Sequence, residues 1–170
     1  GGDLNAFTNK EDTVFYSAIP VEHFAKAVDV LSDIVFYSIF PQAEIDKEVE
    51  VICDEIESYN DSPAELIYDE FENLVFKGHP LGHNILGSTD RVRGFATADA
   101  MRFTQQYYRP DNAIFFVYGN IDFKRLVKTL EKLTPKQLQE NVVDEALVVA
   151  NGKLPELTIL NHDTHQAHVM

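Results

Sequence analysis

A single cysteine, Cys53, stands among 170 residues. No intrachain disulfide can form, and the redox compartment, with it the localisation, cannot be read from cysteine usage. Basic residues are scarce as well: 14 Lys and Arg stand against 28 Asp and Glu, a formal net charge of −14. Such a chain is repelled by phosphate backbones and anionic lipid unless a local basic patch overrides the total, and here the basic residues are scattered. Binding to nucleic acid or to a membrane surface is therefore disfavoured. Long hydrophobic runs are also missing. The most apolar helix candidate, Val21 to Phe40, is interrupted by Glu22, His23, Lys26, Asp29 and Asp33, so no segment approaches the ~18 uninterrupted apolar residues of a membrane span. What is present suits a globular chain, since 45% hydrophobic residues can build a core and 25% charged residues are far from the signature of disorder. The length favours one domain, or one domain and part of another.

The chain opens on Gly1-Gly2-Asp3 and closes on the strand-like run Ala167-His168-Val169-Met170. Both ends read as cuts in a longer protein, and any leader peptide would have gone with the front. Within the chain, Asp3 to Thr8 and Asp12 to Pro20 are runs of β-branched, aromatic and small residues around the polar turn Asn9-Lys10-Glu11, which predicts a hairpin. From Val21 the apolar period changes to three and four, predicting a largely buried helix that Pro41 stops. A second helix is expected at about Gln42 to Tyr59, with Ile45, Val49, Ile52, Ile56 and Tyr59 on one stripe. A third should run from Pro63 to about Phe76, with Leu66, Ile67, Phe71, Leu74 and Val75 on its apolar side.

Gly78-His79-Pro80-Leu81-Gly82 predicts an irregular loop, because proline lacks the N–H and the glycines are conformationally loose. Ser88 and Thr97 are candidate N-caps for helices at Thr89 to Phe95 and Ala98 to Arg109. The nearly all-apolar run within Asn112 to Gly119 predicts a central strand covered on both faces. Helix resumes at Asp122 to Leu133. A polar, aperiodic stretch follows to Lys153, and Leu154 to Met170 reads as extended.

Six histidines are the natural place to look for chemistry. His162, His165 and His168 are three apart, so on a strand the middle one faces away from the others and the set cannot converge without a bend. His79 and His83 have the spacing of a helical zinc pair, yet Pro80 and Gly82 deny them a helix. Glu48 and Glu55 are different. Seven residues apart on the second helix, they come within about 20° of each other around its axis and stack on one face. Measured from Ile45, they lie about 60 to 80° off the apolar stripe, where a carboxylate is partly desolvated and wants a cation or a donor. Spacing by itself leaves two readings open, a solvated acidic face and a metal or acid–base site.

Several stretches resemble, in order, the insulinase, pitrilysin and mitochondrial processing peptidase family of inverted-motif zinc peptidases. They are Gly1-Gly2-Asp3-Leu4-Asn5-Ala6-Phe7-Thr8 with Asp12 to Tyr16; Phe40-Pro41 through Glu48 to Glu55-Ile56; Asp61-Ser62-Pro63; His79-Pro80-Leu81-Gly82 with Ile85 to Ser88; Tyr107 to Asn112; and Gly119 to Asp122. The likeness is dense over about 1–133.

The resemblance implies an α+β fold in which an antiparallel sheet carries helices mainly on one face. It implies a metalloendopeptidase whose HxxEH motif supplies two histidine zinc ligands and a glutamate base, with a third ligand, a glutamate, roughly 76 residues later. Glu55 matches that third ligand, and Glu48 matches a supporting glutamate. Asn5, Ala6, Phe7 and Thr8 match the edge strand beside which an extended peptide substrate lies. No HxxEH occurs in the chain, and only 54 residues precede Glu55. Either the motif lies upstream in the intact protein, or that protein is a non-catalytic partner subunit that holds substrate or has a structural role. Zn2+ is thus implied for the intact enzyme and not for these residues alone, which are expected to be inactive. In domain terms the likeness implies that 1–135 is the C-terminal part of the first family-type domain, 136–156 a linker and 157–170 the start of a second, truncated domain. Exposed sheet edges also predict a homo-oligomer, and the resemblance implies, as the other possibility, pairing with a family subunit.

Overall fold

The computed structural model describes residues 2–136, 157–162 and 165–170. The chain divides into two compact units. One comprises residues 2–8, 12–45 and 96–136; the other comprises 9–11, 46–95 and the described residues from 157 onward.

In the first unit, β1 (Asp3–Thr8) pairs antiparallel with β2 (Thr13–Ala18) in a register that runs from Asp3 opposite Ala18 to Thr8 opposite Thr13. Alternation places Leu4, Ala6 and Thr8 on one face and Asp3, Asn5 and Phe7 on the other. A 3-10 turn over Val21–His23 leads into α1 (Phe24–Phe36), shorter than the apolar period suggests. Tyr37 N–H makes the last helical bond, to Asp33 O at 2.9 Å, and the Ser38 hydroxyl then takes Ile34 O at 2.7 Å, the carbonyl that the next helical N–H would use. Phe40 then turns left-handed, at φ 46°, ahead of Pro41.

Two more helices complete this unit, α5 (Thr97–Tyr107) and α6 (Phe123–Leu133). Thr97 does not cap α5. Its hydroxyl donates to Phe40 O at 2.7 Å, while the Asp99 carboxylate accepts from Ala96 N–H at 3.0 Å and closes the helix start. Asp122 caps α6 by accepting from the N–H groups of Lys124 and Arg125 at 2.9 and 3.2 Å. Phe24 and Val28 of α1 bury themselves with Leu126 of α6, and Ile19, Val117, Ile121, Leu130 and Leu133 pack around them. The Arg125 guanidinium lies 5.0 Å from the centre of the Phe24 ring. Leu126→Ala is expected to destabilise the chain by about 2–5 kcal/mol, measured by denaturant unfolding, because it hollows the only contact in this core made by a buried α6 side chain.

The run Ala113 to Tyr118 is not the covered central strand that its composition predicts. It is extended without ladder bonds, and Ile114 and Tyr118 are 98% and 94% exposed. An apolar strand needs neighbours on both edges and both faces, and among the described residues the only sheet is the β1–β2 pair. Uncovered apolar side chains and unpaired backbone favour association. The 170-residue chain should therefore sediment as a concentration-dependent oligomer in analytical ultracentrifugation; a concentration-independent monomer would contradict this.

The second unit is built on α2 (Gln42–Asn60), whose residues from 46 onward belong to it, with α3 (Pro63–Val75) and α4 (Thr89–Val92). Its core is Cys53, 1% exposed, with Ile56 and Val92, flanked by Val49, Ile52 and Leu86. The segment expected to be a shapeless loop contains a 3-10 turn, Pro80–Gly82. Proline fits the first position of such a turn, where no N–H is needed. His79 Nδ1 accepts from Leu81 N–H at 3.2 Å, and a Cβ at Gly82 would come within 2.5 Å of Phe76 O. On α3 the most buried side chain is Asp69, whereas Phe71, expected on the apolar side, is exposed. Residues 157–162 and 165–170 carry no regular structure. The linker expected at 136–156 lies, apart from residue 136, outside the described residues. Among the described residues no helix is long and apolar enough to cross a membrane.

Candidate functional site

Every residue of β1 is exposed, and β2 occupies only one of its edges. The other edge has a defined polarity. Ala6 N–H donates to the side-chain oxygen of its neighbour Asn5 at 2.8 Å, which directs that donor away from β2. In an antiparallel pair the main-chain groups alternate in direction, so Leu4, Ala6 and Thr8 offer N–H and C=O to the open side, and Asp3, Asn5 and Phe7 exchange bonds with β2. The Phe7 and Tyr16 rings meet at 6.2 Å between centroids on the opposite face, and the Thr8 and Thr13 hydroxyls meet at 3.3 Å where the hairpin closes. This arrangement can accept a further strand through main-chain bonds. The Asn5 side-chain oxygen satisfies the Ala6 donor, the place that a carbonyl of a further strand would take.

Glu48 and Glu55 do lie two turns apart on one regular helix, about 10 Å along its axis. Both are exposed rather than half-buried at the edge of the apolar stripe. The physical reason is Cys53. The buried direction of α2 is set by Cys53 and Ile56, not by Ile45, and both carboxylates stand about 110 to 130° from it. Among the described residues neither glutamate has a hydrogen bond or an ion pair, so each presents free oxygen lone pairs. A stripe that included Cys53, three residues before Ile56 and four after Val49, would have given this orientation from sequence.

The histidines do not gather. Among the described residues no group of three or more His, Cys, Asp or Glu side chains is placed to hold a metal ion. His79 is engaged as a turn cap, and His162 Nε2 lies 3.4 Å from a Glu70 carboxylate oxygen.

Sequence reasoning missed Lys10. The turn Asn9-Lys10-Glu11 reads as merely polar, yet the Lys10 ammonium reaches Glu72 at 2.6 Å, Asp69 at 3.4 Å and the carbonyl of Leu81 at 3.1 Å. Close by in the same unit, the Tyr59 hydroxyl donates to Glu65 O at 3.1 Å. Its pKa is raised, first by burial and then by the negative charge of Asp69. Partners separated by 59 to 71 positions leave no local signal in the sequence.

Comparison with known proteins agrees with the pattern of motifs. Residues 1–89 match the description Insulinase (Peptidase family M16), and residues 95–170 match Peptidase M16 inactive domain. A protein of Rickettsia bellii named as an uncharacterized zinc protease is 40% identical over 133 residues, which cover 78% of this chain and 32% of the relative. The uncharacterized zinc protease YmxG of Bacillus subtilis is 36% identical over 132 residues, again 78% of this chain and 32% of the relative. This chain thus spans about a third of the length of those relatives. The crystal structure of a protease from Helicobacter pylori superposes with a TM-score of 0.76 at 24% identity, covering 84% of this chain and 35% of that one, a likeness of fold. With its first 89 residues matched throughout, the chain belongs to the insulinase family, peptidase family M16.

Proposed function

We propose that this chain is part of a zinc-dependent metalloendopeptidase, in which it provides the strand that holds an extended peptide and one carboxylate ligand of the metal. Main-chain atoms of Ala6 and Thr8, with the side chains of Asn5 and Phe7 around them, take the peptide. Glu55 is the third zinc ligand and Glu48 a supporting carboxylate.

The observation that carries the peptide-binding half is the Ala6 N–H, turned to the open edge and satisfied only by the side chain beside it. Binding through the main chain suits a peptidase that takes many sequences, because every peptide carries the same donors and acceptors. For the metal, the exposed and unpaired Glu55 carboxylate fits a single ligand. It does not make a site: structural and catalytic zinc take at least three protein ligands, and among the described residues no group of three or more His, Cys, Asp or Glu is placed to hold a metal ion. The remaining ligands and the general base therefore come from outside these residues, and no catalytic step is assigned to them.

The zinc protease names of the relatives support the reaction class. The test is hydrolysis of an unstructured peptide by the full-length protein, before and after removal of zinc by a chelator and after its return. Loss and recovery of cleavage are expected. Failure of the full-length protein to bind zinc or to cleave would leave a non-catalytic partner subunit in its place.

A further inference from the structure

The open edge of β1 is backed through its partner strand. We propose that Tyr108 is a positioning residue for peptide docking, whose ring holds Phe15, the residue opposite Ala6, and so keeps the receiving edge in place before a peptide arrives. This inference rests on the reading of β1 as the peptide-receiving strand, and every residue it uses belongs to the first unit.

A two-stranded hairpin is marginal by itself, so the order of β1 and β2 depends on what packs against them. Phe15 of β2 stands directly opposite Ala6 in the register, and facing residues of an antiparallel pair share a face with Cβ atoms about 5 Å apart. A ring fixed there restrains the strand around the Ala6 N–H. The Tyr108 ring supplies that restraint: it meets Phe15 at 79°, with centroids 6.0 Å apart, the edge-on arrangement that aromatic pairs favour. Tyr108 is itself held. Its N–H donates to Thr104 O at 2.8 Å where α5 ends, and its ring meets that of Phe103 at 6.0 Å. The residues after it form a closed turn. Arg109, its side chain 14% exposed, donates to both carboxylate oxygens of Asp111 at 3.1 and 3.2 Å, and the Asn112 side-chain amide donates to Tyr107 O at 2.9 Å. The stretch from Tyr107 to Asn112 thus serves as a platform for one ring. Peptide docking then need not order the strand, which is the usual way in which a preformed site strengthens binding.

The alternative is a plain stability role, with no bearing on substrate. The two are separated in the full-length protein by the kinetics of Tyr108→Ala, which removes the ring. KM for an extended peptide should rise about tenfold, while kcat changes by less than about twofold and zinc content stays at the parent value. Tyr108→Phe, which keeps the ring and loses only the hydroxyl, should return KM most of the way to the parent value. An unchanged KM in Tyr108→Ala would overturn the proposal, and so would a fall in kcat with loss of bound zinc or a failure of Tyr108→Phe to restore KM. Should Tyr108→Ala not fold, Phe15→Leu carries the same test, since it keeps an apolar side chain opposite Ala6 and removes the ring contact. It should raise KM by a smaller factor, about threefold, and no rise would again overturn the proposal. Failure of the underlying reading looks different. If Ala6→Pro cleaves at the parent rate, strand addition at β1 is wrong and the role of Tyr108 falls with it; if Ala6→Pro is impaired and Tyr108→Ala is not, only Tyr108 has been misassigned.

Discussion

Glu55→Gln in the full-length protein should lower zinc affinity by about 100-fold or more and reduce peptide hydrolysis in proportion to the metal lost. A ligating carboxylate contributes charge as well as a lone pair, and the amide keeps the shape while losing the charge, so on the proposed assignment the substitution weakens one of three protein ligands. Altered support around a ligand typically costs 10- to 100-fold, which sets the smaller effect expected for Glu48→Gln at about 10-fold. Glu57→Gln is the control. It changes the net charge by the same unit on the same exposed helix but points about 160° away from Glu55 around the axis, so it should leave zinc content and activity alone. Metal analysis of the purified variants checks all three, and full zinc occupancy in Glu55→Gln would contradict the assignment.

Ala6→Pro should reduce kcat/KM for extended peptides by about 10- to 100-fold with zinc content and thermal stability preserved. The size follows from one main-chain donor lost at a desolvated contact, about 1–3 kcal/mol. Its selectivity follows from the structure. Ala6 N–H bonds to the Asn5 side chain and not to β2, so proline there breaks no ladder bond. Its ring also suits an edge strand, and its preference for an extended preceding residue is already met at Asn5. Proline at Asn5, by contrast, would remove a ladder donor and should cost hairpin stability. Parent-level cleavage by Ala6→Pro would show that peptides are held elsewhere.

Local pattern carried most of the secondary structure. The hairpin, α2 and α3 are fixed by contiguous signals, namely alternation around a polar turn, an apolar period, and Pro63 opening a helix, and their ends fall within a residue or two of expectation. Failures occur wherever the outcome depended on something distant. Ala113 to Tyr118 has the composition of a buried strand, but pairing is a property of neighbours, and no described strand lies beside it. Asp69 is buried because a lysine 59 positions away neutralises it, which no helical period can reveal. Glu48 and Glu55 were legible as a stacked pair from spacing, whereas their exposure required knowing that Cys53 centres the buried face. The peptide-receiving role proposed for β1 rests on family likeness, and the Ala6 N–H bonded to the Asn5 side chain supports it.

The central claim, that Glu55 is a metal ligand, is tested most directly by an anomalous difference map at the zinc absorption edge from crystals of the full-length protein. The account predicts a peak about 2.0–2.2 Å from a Glu55 carboxylate oxygen, shared with ligands that come from outside these residues. A fully occupied zinc peak with no contact to Glu55 would contradict it.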